Sequence, residues 1–206
     1  TWTNQWDQYP NEPDAWYWER VTQNVNILTR TYPITLPHPA LTGASAYYEV
    51  ELLPREANTS PTNFLYDVRA TINNYPVQGQ VTWQRLRSIN VTGTQPITTL
   101  LAGVNSASVI FATDRSASPG DPIIFLNRIS VSYDRRLTAD NNQLLFDKQN
   151  NPGVQQFEVN NFSQNQLSQI LVWDISDPLR PEQIHLSSSD ISGSGPYTYT
   201  FTGLAA

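Results

Sequence analysis

Ile123-Ile-Phe-Leu-Asn-Arg-Ile-Ser-Val-Ser-Tyr133 reads as one long β-strand, and its reading decides the fold. β-Branched and aromatic side chains suit a pleated surface. Strict alternation puts Phe125, Asn127, Ile129, Val131 and Tyr133 on one face and Ile124, Leu126, Arg128, Ser130 and Ser132 on the other. A strand of this length runs through the middle of a sheet.

The same texture extends upstream. Thr29 to Leu36 alternates up to Pro37-His38-Pro39, and Ala46 to Leu52 sets Tyr48, Val50 and Leu52 against Tyr47, Glu49 and Glu51. Such a strand has one wet face, which is where Glu49 and Glu51 fall. Asn63 to Ile72 and Gly79 to Leu86 flank Asn73-Asn74, a pair that tolerates left-handed backbone and so predicts a hairpin. Ile97 to Leu101 and Ala107 to Ala112 are further short apolar runs, and Ser116 to Pro122 is a loop. Fifteen prolines and nine glycines punctuate the chain. Their spacing of roughly ten to fifteen residues suits a sandwich or jelly roll, not βαβ units.

Composition bounds the function. The 206 residues are enough to bury a real core. There is no cysteine, which excludes disulfides, thiolate catalysis and Cys-ligated zinc. Methionine is also absent, even at position 1, as expected of an excised or processed piece. The net charge is -6, only 15% of residues are charged, and the twelve basic residues are arginines apart from Lys148. A nucleic-acid binder concentrates positive charge, so nucleic acid is not an expected partner. Low charge with abundant Thr, Ser, Asn, Gln, Tyr and Trp fits a secreted or cell-surface β domain. No apolar run reaches the about eighteen residues of a membrane-spanning helix.

After Arg135-Arg136 the strands shorten. Thr138 to Asn142 is a turn cluster, and Gln143–Phe146, Gln155–Val159, Gln169–Trp173 and Tyr197–Phe201 are expected strands between polar connections. Ser187 to Gly195 reads as a flexible loop. The expected organisation is a sandwich over residues 1–137, opened by an aromatic N-terminal strap, and a small β extension over residues 138–206.

Three pieces in order carry a family resemblance: Glu12-Pro-Asp-Ala-Trp-Tyr-Trp-Glu19, the Ile129–Arg136 strand, where Asp134 intervenes between Tyr133 and Arg135 in place of the family's Tyr followed by Arg, and Val172-Trp-Asp-Ile-Ser-Asp-Pro-Leu-Arg-Pro181 with Leu144–Phe146 and Phe157–Val159 before it. Together they resemble the accessory β region beside the catalytic domain of gingipain-type cysteine peptidases, including type IX secretion sortase-like proteins. The resemblance implies a bacterial, secreted, multidomain parent and an antiparallel β-sandwich of jelly-roll, galactose-binding-like type. It also implies an adjacent peptidase domain of the same polypeptide as partner, with a cell-surface glycan or protein substrate as further candidates. It does not imply catalysis here, because the family's nucleophile is a thiolate and this chain has none.

Two constellations stand out as candidate sites. Trp16, Tyr17 and Trp18, with Trp83, would form a platform on which sugar rings stack, as in a carbohydrate-binding module; the competing reading is a strap whose rings plug the sandwich, favoured because Trp and Tyr are mostly buried. Asp174 and Asp177 would offer carboxylates to calcium, the one metal contemplated. Against this, Asp174-Ile-Ser-Asp-Pro178 has the composition of an Asx-type turn and too few ligands for a dedicated loop. His38 and His185 stand alone, without a Gly-x-Ser-x-Gly or His-Glu-x-x-His context. A carboxylate-based hydrolase would need two acids brought together from separate strands. The sequence therefore reads as a non-catalytic scaffold or recognition region without a cofactor.

Overall fold

A computed structural model describes residues 3–4, 16–23, 25–43, 45–55, 66–77, 81–83, 88–112, 123–146 and 153–203. Two compact units divide the chain, Thr1–Arg135 and Arg136–Ala206. Every sheet is antiparallel, and among the described residues the only helical turns are three short 3-10 segments.

The N-terminal unit contains β1 (Thr3–Asn4), β2 (Trp16–Tyr17), β3 (Glu19–Thr22), β4 (Leu28–Leu36), β5 (Ser45–Arg55), β6 (Tyr66–Ile72), β7 (Tyr75–Pro76), β8 (Val81–Trp83), β9 (Ile89–Pro96), β10 (Gly103–Phe111) and β11 (Ile123–Ser132). One sheet has the order β3-β11-β5-β9 and the other β4-β10-β6-β7, with β8 also paired to β6. From β3 to β6 each strand lies in the sheet opposite its predecessor, and from β8 to β11 the same holds. Alternation along each strand sends one set of side chains inward. Val21, Tyr48, Val50, Leu52, Val91 and Ile124 from the first sheet meet Tyr32, Val68, Ile72, Val109 and Phe111 from the second. Burial of each large apolar side chain contributes about 1.5–3 kcal/mol, so this core dominates the unit's stability.

β11 is central, as its length implied, but its two faces exchange partway along. Opposite β5 the register runs Leu126↔Leu52 and then Arg128↔Glu51, which leaves Asn127 as an extra residue in a bulge. Ile124 and Leu126 point into the core before the bulge; Ile129, Val131 and Tyr133 pack against it afterwards. The strict alternation expected from sequence is therefore broken once. Phe125, buried with Leu53, lies on the opposite face. Beyond the bulge, Arg128 reaches Glu49 at 3.5 Å and Glu51 at 3.7 Å, and Asn90 donates to Glu49 at 2.7 Å. That row is the wet face of the sheet.

Tight turns follow the asparagine pairs. Asn73 and Asn74 have φ of 49° and 67°, and Ile72 pairs with Tyr75 across them. Asn73 also donates to Thr99 O at 2.8 Å and to Asn105 Oδ1 at 2.7 Å, while its own Oδ1 accepts from Ser106 N. This knot holds the 97–105 connection. Within it Ile97–Thr99 is a 3-10 turn, where the short apolar run suggested a strand.

The C-terminal unit contains β12 (Gln155–Phe162), β13 (Val172–Asp174), β14 (Glu182–Ile184), β15 (Ile191–Ser192) and β16 (Tyr197–Gly203), in a β12-β16-β15 sheet and a β13-β14 ribbon. Among the described residues its buried apolar cluster is small: Ala139, Val159, Phe162 and Tyr199. Gln143–Phe146 is not a strand. Asp140 and Gln143 exchange both backbone hydrogen bonds across Asn141 and Asn142, whose φ values are 52° and 62°, and the chain then runs on without a ladder partner among the described residues. Leu167–Gln169 is a 3-10 turn, so the expected Gln169–Trp173 strand begins only at Val172. Ser187 to Gly195 is likewise more ordered than its composition suggested. Ser187 donates from N and Oγ to the Asp190 carboxylate, which lowers the Asp190 pKa from its ordinary value, and β15 follows.

Candidate functional site

The aromatic N-terminus resolves at one ring. Trp18 is half-buried against the main core, its backbone N–H donates to Leu126 O at 2.8 Å, and its ring lies 4.8 Å from that of Tyr32. Tyr32 in turn donates to Glu19 Oε2 at 2.6 Å, and Arg30 Nε donates to Glu19 Oε1 at 3.2 Å. This cluster ties β3 of one sheet to β4 of the other. Burial, and then the Glu19 carboxylate, push the Tyr32 phenol well above its ordinary range. Trp16 and Tyr17 pair as β2 with Asn4 and Thr3, and Trp83 pairs with Tyr66. The side chains of Trp16, Tyr17 and Trp83 lie outside the described residues.

Asp174 and Asp177 each serve a local turn. Asp174 Oδ1 accepts from Ser176 N at 2.9 Å and Ser176 Oγ at 2.7 Å; Asp177 Oδ1 accepts from Leu179 N at 3.0 Å. This is Asx-turn geometry. Among the described residues no cluster of three or more His, Cys, Asp or Glu could hold a metal ion.

The C-terminal unit carries a feature that sequence reasoning did not single out, a groove of about 900 Å³ lined by apolar side chains together with Asn142, Gln143, Gln169, Asp174 and Ser176. Its floor is the β12-β16 face, with Phe157, Val159, Tyr199 and Phe201. Phe157 lies 5.1 Å from Phe146 and 5.8 Å from Phe201 between ring centroids. Gly203 allows this arrangement, because a Cβ there would stand 2.5 Å from Phe157 Cε2. Leu171 to Ser176, which spans β13, and the irregular Leu144–Phe146 segment also line it. Several wall residues remain largely solvent-exposed: Leu145 at 78%, Leu171 at 67% and Trp173 at 48%. Asp174 is the one carboxylate in the lining. The signal was present in the sequence as Leu144-Leu-Phe146 and Val172-Trp173, apolar stretches in a unit too small to bury them all.

The fold defines a class: an all-β, antiparallel chain of two units with no cysteine. No protein-family model matches the sequence, and no curated protein matches it either. Among solved structures the chain is similar to part of dimeric latent PorU from Porphyromonas gingivalis, with a TM-score of 0.57 and 12% identity. That likeness covers 91% of this chain and 17% of PorU, so the chain spans only a small share of that protein's length. A looser likeness, with a TM-score of 0.37 and 12% identity, is to the C-terminal domain of EclA, a sugar-binding protein; it covers 62% of this chain and 92% of that one and bears no weight for fold or function.

Proposed function

We propose that this chain is a non-catalytic region of a secreted gingipain-like peptidase that holds and positions a partner without cutting it. The N-terminal unit is then a jelly roll of the galactose-binding-like kind, with the peptidase domain as the neighbour it supports. The strand orders β3-β11-β5-β9 and β4-β10-β6-β8 support that topology, since two interleaved Greek keys produce this pairing. Likeness to a stretch of PorU over 91% of the chain supports the family resemblance of the three motifs. The observation that carries the binding role is the open groove of about 900 Å³ in a chain without a thiol nucleophile.

The test is a calorimetric titration of the 206-residue chain into a folded gingipain-like peptidase domain, alongside a turnover assay of the chain alone. Saturable binding without turnover is expected. Turnover by the chain alone, or no heat with the peptidase domain, contradicts the proposal.

A further inference from the structure

The groove borders an incomplete sheet edge. In the order β12-β16-β15, strand β12 has, among the described residues, β16 on one side only. On its other side it meets a stub: Asn160 N donates to Leu137 O at 3.0 Å, Ala139 N donates to Asn160 O at 2.9 Å, and Thr138 forms a single parallel bridge with Asn160. Backbone groups two residues apart point to the same side of a strand. Glu158 and Gln156 therefore present their N–H and C=O along the same edge as Asn160. Among the described residues no backbone group meets them there. Phe157 and Val159, interleaved with them, line the groove.

An edge of this kind, flanked by an apolar trough, is the geometry of strand addition, in which main-chain bonds give affinity and alternate side chains fill pockets. A strand added beside β12 lies in the plane of the sheet at about 4.8 Å, so that its alternate side chains reach over the trough. The charge of the unit selects among such segments. From Arg136 onward there are three basic and seven acidic side chains, and Glu158 and Asp174 stand at the edge and in the lining. An acidic segment is repelled and a basic one attracted.

We propose that the free edge of β12 and the adjoining groove form a docking site for an extended apolar segment of another polypeptide, flanked by Lys or Arg, which adds as a strand beside Gln156 and Glu158. This rests on the reading of the chain as a holder, and it names what is held.

The test uses the 206-residue chain and three probes: an octapeptide of alternating Val and Thr with a Lys at each end, its counterpart with Glu at each end, and a β-linked glucose hexamer. Amide hydrogen exchange by NMR is the readout. The Lys-ended peptide is expected to saturate the chain and to slow exchange at Gln156 and Glu158 by tenfold or more, with Phe157 unchanged because its amide faces β16. The Glu-ended peptide binds at least fivefold more weakly. Glu158→Pro removes one outward N–H from an edge strand, where proline is tolerated, and weakens binding by tenfold or more. Trp173→Ala leaves the backbone edge intact and also weakens binding, so the test survives if the proline variant fails to fold. Binding of the hexamer without the peptides, peptide binding without protection at Gln156 and Glu158, or no binding of any probe overturns the proposal. Any of these together with intact binding to a peptidase domain overturns the groove's role alone.

Discussion

At the scale of single residues, two buried tyrosines separate satisfied from unsatisfied chemistry. Tyr32 gives its proton to Glu19 at 2.6 Å, whereas the Tyr48 hydroxyl, fully buried, has no hydrogen-bond partner among the described residues. Removing a paired donor leaves its acceptor unmet, while removing an unpaired buried polar atom relieves a cost. Tyr32→Phe should therefore lower stability by about 2 kcal/mol, and Tyr48→Phe should raise it by about 1 kcal/mol, as read from urea unfolding midpoints. Burial pushes both phenols up, so the neutral form is the folded form. Their contribution is intact below the ordinary tyrosine pKa of about 10 and is lost as pH rises above it. An ultraviolet titration should show both ionising only as the protein unfolds. Ionisation of either in the folded state contradicts this assignment. Residue-level legibility was uneven: the inward set Tyr48, Val50 and Leu52 followed from alternation alone, but no sequence signal marks Glu19 as the acceptor for a tyrosine on a different sheet.

At the scale of elements, periodicity worked wherever apolar side chains carried it. β4, β5, β6 and β10 were legible because their inward positions are mostly apolar. β9 was not, because its inward row is Val91, Gly93 and Gln95; Gly93 sits opposite the large Tyr48, and Gln95 donates its amide to Pro76 O. The asparagine pairs predicted their turns from side-chain chemistry alone. The bulge at Asn127 escaped because a single extra residue leaves local composition unchanged while reversing every face beyond it. Deleting Asn127 should restore a regular strand and keep the protein folded within about 1 kcal/mol. Deleting Ser130 should instead turn Val131 and Tyr133 to solvent and unfold the N-terminal unit. Thermal unfolding by circular dichroism distinguishes the two, and equal effects would contradict the register.

At the scale of the whole molecule, the two units differ in how completely they bury their apolar residues. The N-terminal unit has an extensive core between two sheets, while the C-terminal unit, among its described residues, buries four apolar side chains and leaves Leu145, Leu171 and Trp173 in the open. Amide exchange should consequently be slowest in β5 and β11 and faster by at least tenfold in β12 and β16. Uniform protection across both units would contradict this difference. The groove itself was legible only as a surplus of apolar residues beyond what a small unit can cover. Its walls come from segments distant in sequence, and no spacing in the chain encodes their meeting.

The most direct measurement is equilibrium dialysis of the intact chain against the Lys-ended Val-Thr octapeptide, followed by mass spectrometry of the retained material. Retention of the peptide at a saturable ratio, recovered uncut, is the predicted result. A cleaved peptide, or none retained, would contradict the account of this protein as one that holds.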